Sequence, residues 1–483
     1  MKLVLQFASG PLAFLVFYAL PYEGPSPEGR VALAIFVWMV VWWMTQPVPW
    51  GVTSFLPLIL FPALGLMNTT RTVGLYGQNI FFWIMGTVLI GYTIQRHGLA
   101  KRVALWFLSR RALSGSTYRL AFGFMLATSV VSMFISDAAT VAMMMPVGIS
   151  LVSYVRTIAG ISPSQKSQLG TFFALGCLYG ALVGGCVTVM GTPYNALSVD
   201  LLQTLTGRPF GFFNWMVAGV PIYGVTLFAL YAILRLFLRP EIAQVPGGRE
   251  FIASERAKLG PLSSAERGTI FVFAVMVFLF TLPTLLNLTL GGDHPISKWG
   301  ETGLSVWVVP PTVILLLFST PANWQKREFL LTWREVIDHA PWDIMLLCAG
   351  AVGVTNALEQ FGFVKFIENE IAGMGLGQYS LPVVTSLLVA FGTNFLSGTA
   401  ATALFGTILL PVSQQIGWNP LSMAMLIPNM ATGIIFPWAG ATSATAFASG
   451  EVEMKDMIRI GVVATVVFAV LVTGIHMLLA PVL

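Results

Sequence analysis

Stretch after stretch of this chain lacks charge over a length that would cross a lipid bilayer. No Asp, Glu, Lys or Arg lies between Arg267 and Asp293, and none follows Arg459. A helix rises about 1.5 Å per residue, so about 20 apolar residues span the roughly 30 Å hydrocarbon layer. The 483 residues are 56% hydrophobic and only 9% charged, whereas soluble domains carry roughly 25% charge. Such a chain has too little polar surface to cover a soluble core. Its apolar runs are continuous and do not alternate over about ten residues, which excludes a β-barrel. The expected fold is an all-α polytopic membrane protein.

The runs place spans at 4–20, 31–46, 51–66, 79–97, 212–238, 267–290, 302–320, 342–362 and 459–480. Two hairpins are expected at 117–155 and 378–413, and two Gly- and Pro-interrupted helices at 169–205 and 421–449. Together they make about 11 transmembrane helices plus two re-entrant hairpins. The first run lacks a small-residue cleavage site before Pro21, so it reads as a helix and not as a signal peptide. Cys177, Cys186 and Cys348 all fall in apolar segments and show no disulfide or metal spacing. With the N-terminus cytoplasmic and the C-terminus external, 20 of the 25 Lys and Arg residues fall inside, as the positive-inside rule requires. The net charge of +5 reflects this topology and does not point to nucleic acid.

The longest polar segment, Pro240 to Arg267, reads as a cytoplasmic connector between two related halves. Gly86 and Gly98 are mirrored by Gly350 and Gly362, and Lys101 by Lys365 at the same offset. A polar hairpin and then a broken helix follow in each half. Inverted repeats with helices broken at the midplane are the mark of secondary transporters. Residues 99–112 read as an amphipathic helix on the cytoplasmic interface, and 363–373 as its external counterpart.

Four places look non-helical at membrane depth, where irregular backbone survives only if it lines a cavity or is buried in protein. They are Ser136-Asp137-Ala138, Ser397-Gly398-Thr399, Gly184 through Asn195, and Gly433 through Ser443. Broken helices offer free N–H groups to an anion and unwound carbonyls to a hard cation. For an isolated serine here, helix packing is the commoner role. For Gly191-Thr192-Pro193 a simple kink is as good a reading, and Asp137 can also be a structural acid bonded to backbone N–H groups. Asp343 reads as an interfacial cap and Glu359 as a solvated terminus. His97, His294 and His339 fall in loops or interfaces, and His476 reads as a packed residue of the last span. No set of residues matches a hydrolytic triad, a zinc site or a phosphate loop.

The strings Trp42-Trp43-Met44-Thr45-Gln46-Pro47-Val48-Pro49 and Gly98-Leu99-Ala100-Lys101-Arg102 resemble segments of the divalent anion/sodium symporter family, which moves dicarboxylates, citrate or sulfate. The resemblance covers essentially the whole chain. It implies a homodimer, sodium as co-substrate with no other cofactor or metal, and an elevator mechanism. A scaffold (1–112 and 267–373) would hold a transport part (113–239 and 374–483), joined by the connector 240–266. The family's Ser-Asn-Thr tips correspond to Ser136-Asp137-Ala138 and Ser397-Gly398-Thr399, and its G-[ST]-P-P-N break to Gly191-Thr192-Pro193-Tyr194-Asn195. The implied substrate ligands are Ser136, Asp137, Ala138, Thr192, Pro193, Asn195, Ser397, Gly398, Thr399 and Ala441. The implied sodium ligands are Ser132, Ser136, Asp137, Gly191, Thr393, Ser397, Gly398 and Ala439. Asp137 puts a full charge where the family has a neutral oxygen, and Gly398 removes a side-chain ligand. The expected function is sodium-coupled symport of a small anion such as a di- or tricarboxylate across the plasma membrane. Proton coupling or transport of sulfate or another anion is the alternative, and a membrane-embedded enzyme or a channel is the remoter one.

Overall fold

The computed structural model describes residues 2–20, 26–77, 79–110, 116–158, 160, 167–207, 212–242, 244, 248–304, 307–362 and 377–481. The expected counterpart helix at 363–373 lies outside these residues. Among the described residues, seven helices are long and apolar enough to cross a membrane, including Pro27–Thr45, Phe212–Phe237, Ser264–Leu290 and Met454–Leu479. An eighth span arises if Trp333–His339 and Trp342–Gln360, bent by 65°, count as one. Leu3–Ala19, Trp50–Ala63, Val309–Ser319 and Ser380–Gly392 are shorter apolar helices. The chain is an all-α polytopic membrane protein, with one small antiparallel ribbon between Pro321–Asn323 and Glu328–Phe329.

The helix Gln168–Gly185 organises the first half. It is 94% buried over its span, as a helix apolar on all sides must be. Small residues let its neighbour approach closely. A methyl group added at Gly180 would lie 2.6 Å from the Met125 carbonyl oxygen, and one at Gly184 only 2.1 Å from that of Ser129. The helix Thr117–Ser132 therefore rests directly on it, and so sets where the first polar tip comes to lie.

Each expected hairpin is two helices separated by a short break. Thr117–Ser132 is followed by Asp137–Ile158, and Ser380–Gly392 by Gly398–Gln415. The chain restarts its helix at Asp137 and at Gly398, within the two polar triplets. Each interrupted helix is broken as well. Gln168–Gly185 leads through a 3-10 turn at Val189–Gly191 into Pro193–Thr206. Pro420–Met430 leads through Pro437–Ala439 into Ala441–Ala448.

The connector is more than a polar loop, because it contains the helix Gly248–Lys258. Lys101 Nζ lies 3.4 Å from Glu255, and Arg102 Nε 2.7 Å from Glu266. Arg102 also donates to the Gly260 carbonyl at 2.9 Å. Both basic residues belong to Leu99–Leu108, so the expected interfacial helix is clamped to the connector. Arg156 differs from the other cations assigned to the inner side. It ends Asp137–Ile158 in a buried ion pair with Glu451. Asp343 does more than cap an interface: its Oδ1 accepts the Gly51 N–H at 2.6 Å, joining the two halves. His476 is fully buried beside Ser422 and Asn429, as a packed residue should be.

Candidate functional site

The first tip is built on helix-start chemistry. Ser136 Oγ accepts from Ala139 N–H at 3.4 Å, a weak cap. Asp137 is buried. Its Oδ1 accepts the Ala138 N–H at 2.7 Å, and its Oδ2 accepts the Tyr194 hydroxyl at 3.1 Å. Both oxygens are thus engaged, as a carboxylate at membrane depth requires.

The first break is closed by its own side chains. Thr192 caps the helix Pro193–Thr206, accepting the Asn195 N–H at 3.2 Å. Asn195 Nδ2 donates to the carbonyls of Gly185 at 2.8 Å and Thr188 at 2.9 Å. The Gly185 carbonyl, freed by the break, would otherwise be unpaired in an apolar interior, while that of Thr188 also accepts the Gly191 N–H at 3.2 Å. Gly191 is needed because a methyl there would lie 2.3 Å from the Gly185 oxygen. A methyl on Gly185 in turn would sit 3.8 Å from Asp137 Cβ, which puts the break beside the first tip.

The second tip is built in a similar way. Ser397 caps Gly398–Gln415, accepting the Ala400 N–H at 3.1 Å. A methyl on Gly398 would lie 2.8 Å from Tyr194 Cε1 and 2.9 Å from the Ala431 carbonyl oxygen. Tyr194 therefore touches both tips. The second break is held to its tip through Asn394, whose Oδ1 accepts the Ile435 N–H at 3.0 Å. Ser443 Oγ donates to the Gly433 carbonyl at 2.7 Å. Helix starts at Asp137, Pro193 and Gly398 consequently meet around one side chain, each contributing the partial positive charge of a helix N-terminus.

Two of the expected sodium ligands, close to the tips in sequence, bond backbone carbonyls. The Ser132 hydroxyl donates to the Ala181 carbonyl at 2.7 Å, and that of Thr393 to Val389 at 2.5 Å. A hydroxyl that donates its hydrogen keeps lone pairs for a cation. Ala439 is buried against Gly433, whose added methyl would lie 3.1 Å from it. Thr399 is buried, and Ala138 half-buried, each beside its own tip. Ala441 is exposed at the start of Ala441–Ala448, and none of these contacts joins it to the tips.

A cavity of about 170 Å³ opens at the first tip. Ser136 and Pro193 face Thr87, Gly91, Gln95 and His339 across it. Sequence reasoning passed over this second wall and over Tyr194. The wall left a readable signal: Thr87, Gly91 and Gln95 are four residues apart, on one face of Asn79–Arg96. Tyr194 has no such signal, because nothing local shows that its ring crosses between tips 261 residues apart in sequence (Asp137 and Gly398). At the same end, His339 stacks on Tyr92 with ring centroids 4.4 Å apart, and His97 lies 3.2 Å from the Leu330 carbonyl.

A sodium-dependent dicarboxylate transporter, SdcS, of Staphylococcus saprophyticus is 28% identical over 98% of this chain and 91% of its own length. SdcS of Staphylococcus aureus is 27% identical over 96% of this chain and 88% of its own. Two solved transporters share the fold at low identity. The YdaH transporter of Alcanivorax borkumensis gives a TM-score of 0.54 at 14% identity, covering 84% of this chain and 87% of its own. MtrF of Neisseria gonorrhoeae gives 0.57 at 15%, covering 100% and 95%. The family model described as the sodium:sulfate symporter transmembrane region matches residues 4–483. A match along nearly the whole chain settles membership: this chain belongs to the sodium:sulfate symporter family, whose members are transporters and not enzymes.

Proposed function

We propose that the protein is a secondary active transporter that carries a small dianion, a dicarboxylate first of all, together with sodium. One observation carries this reading: three helix starts and two polar tips meet around Tyr194 and Asp137. Helix N-termini favour an anion, while the Asp137 carboxylate and the nearby hydroxyls favour a hard cation. A site of both kinds fits co-transport and gives no hydrolytic chemistry. The SdcS relatives are named for dicarboxylates and sodium, which supports the same choice.

In this reading the tips and breaks form a transport part (113–239 and 374–483) that moves against a scaffold (1–112 and 267–373). The wall of Thr87, Gly91 and Gln95 belongs to the scaffold, and Ser136 and Pro193 to the moving part, so their cavity is the opening of the site. Arg96 and His97 lie at that end, on the face the positive-inside rule assigns to the cytoplasm. The N-terminus is then cytoplasmic, and the working unit is a dimer in the plasma membrane. A ligand that binds the folded state raises its melting temperature in step with saturation. Purified protein is expected to be stabilised by succinate in sodium but not in choline. Stabilisation by sulfate alone would reassign the substrate, and stabilisation by neither anion would refute the reading.

A further inference from the structure

We propose that Tyr194 sets the length of the anion that the site accepts, its ring acting as a fixed partition between the two tips. The inference rests on the reading of the site as a sodium-coupled anion site, and goes beyond it by naming the residue that limits substrate size. Tyr194 is the second residue of Pro193–Thr206. Its hydroxyl donates to Asp137 Oδ2 at 3.1 Å, at the first tip. The edge of the same ring lies where a methyl on Gly398 would stand, 2.8 Å from Cε1 and 3.1 Å from Cδ1, at the second tip. One side chain therefore bridges the gap between two helix starts that would each hold an end of a dianion. Gly398 leaves room for the ring, and the ring's hydroxyl reaches Asp137. The preceding residue, Pro193, lines the cavity opposite Gln95.

A ring standing on the helix start Pro193–Thr206, with one edge along Gly398, cannot swing toward the second tip without striking its backbone. A dianion between the tips must fit beside it. Each additional methylene then has to be accommodated against the ring, and a closed wall discriminates by about tenfold per methylene. The hydroxyl serves a separate purpose, satisfying Asp137, so the size limit and the hydrogen bond can be separated by substitution.

The test is sodium-driven uptake of labelled succinate into proteoliposomes, with unlabelled succinate, glutarate and adipate as competitors. In the native protein half-inhibition should weaken about tenfold with each added methylene, and in Tyr194→Ala the whole series should fall within about threefold. Tyr194→Phe keeps the ring and should keep the native series. A Tyr194→Ala protein that transports and retains the native ratios overturns the inference, as does a Tyr194→Phe protein that flattens like the alanine variant. If Tyr194→Ala does not yield a single folded species, Tyr194→Leu carries the same readout with the same outcomes. Failure of the native protein to accumulate any of the three anions would sink the functional reading itself. Native uptake with unchanged ratios in Tyr194→Ala would sink only the role of Tyr194.

Discussion

Replacing Glu451 by glutamine would leave a guanidinium buried without its counter-charge. Arg156 and Glu451 have side chains only 4% and 11% exposed. Their two parallel bonds measure 2.9 and 2.5 Å. Arg156 is held further by Ser167 Oγ at 2.7 and 3.2 Å, and the Glu451 carbonyl accepts from Thr171 at 2.7 Å. A methyl on Gly170 would fall 1.8 Å from Glu451 Oε2, so the carboxylate fills space that the backbone leaves for it. Removing one member of such a pair costs about 3–5 kcal/mol, because the other stays buried and unpaired. At roughly 2 °C per kcal/mol, the low end for larger domains, melting in detergent should fall by roughly 6–10 °C. Replacing both, as Arg156→Met with Glu451→Leu, should recover most of that loss, since an apolar pair avoids the desolvation cost. The assay is thermal unfolding of the purified native, single and double variants. A Glu451→Gln protein melting within about 2 °C of native, or a double variant no better than the singles, would refute the reasoning. The pair ties the end of the first tip's helix to the segment after the second break, so the same loss should loosen the site.

Three further outcomes follow from the site and its supports. Asp137→Asn removes the charge but keeps an oxygen for the Ala138 N–H. A charge pair at about 4 Å is worth about 4 kcal/mol at an effective dielectric near 20, so the sodium concentration for half-maximal uptake should rise at least tenfold by that scale. An unchanged sodium requirement would remove Asp137 from the cation site. Asn195→Ala strands the Gly185 carbonyl, at about 1–3 kcal/mol, and leaves that of Thr188 only the Gly191 N–H; it should lower both melting temperature and succinate binding, and native binding would show that the break holds itself. Glu255, on the connector helix, accepts from Lys258 at 2.5 Å, and that bond holds its carboxyl below the ordinary carboxylate range. Its contribution is therefore present at neutral pH and lost as pH falls through about 4 and below. Protection of the 248–258 amides, corrected for intrinsic exchange, should drop over that range in native protein but not in Glu255→Gln.

Much of this arrangement is legible in the sequence because lipid imposes simple rules. Uncharged runs mark spans, and polar or glycine-rich interruptions mark where helices stop. The restarts at Asp137 and Gly398 and the Thr192 cap fall within the strings that read as breaks. The connector helix Gly248–Lys258 escapes such a reading because it is short and polar, and its order comes from contacts with Leu99–Leu108. Counting Arg156 with the other inner-side cations also misses its partner, since Glu451 lies 295 residues away. The acid at the first tip reads as a ligand of substrate and sodium. Its oxygens accept from Ala138 and Tyr194, two bonds that the sequence does not show, and the cavity is lined by its neighbour Ser136. No local pattern reveals a tyrosine spanning two tips; only the folded chain puts those tips on either side of one ring.

Uphill movement of an anion, driven by sodium, is tested most directly by reconstitution. Protein in liposomes, given an inward sodium gradient, should accumulate labelled succinate above the external concentration and lose that accumulation when choline replaces sodium. Equal accumulation in choline, or uptake that only equilibrates, would contradict sodium-coupled symport.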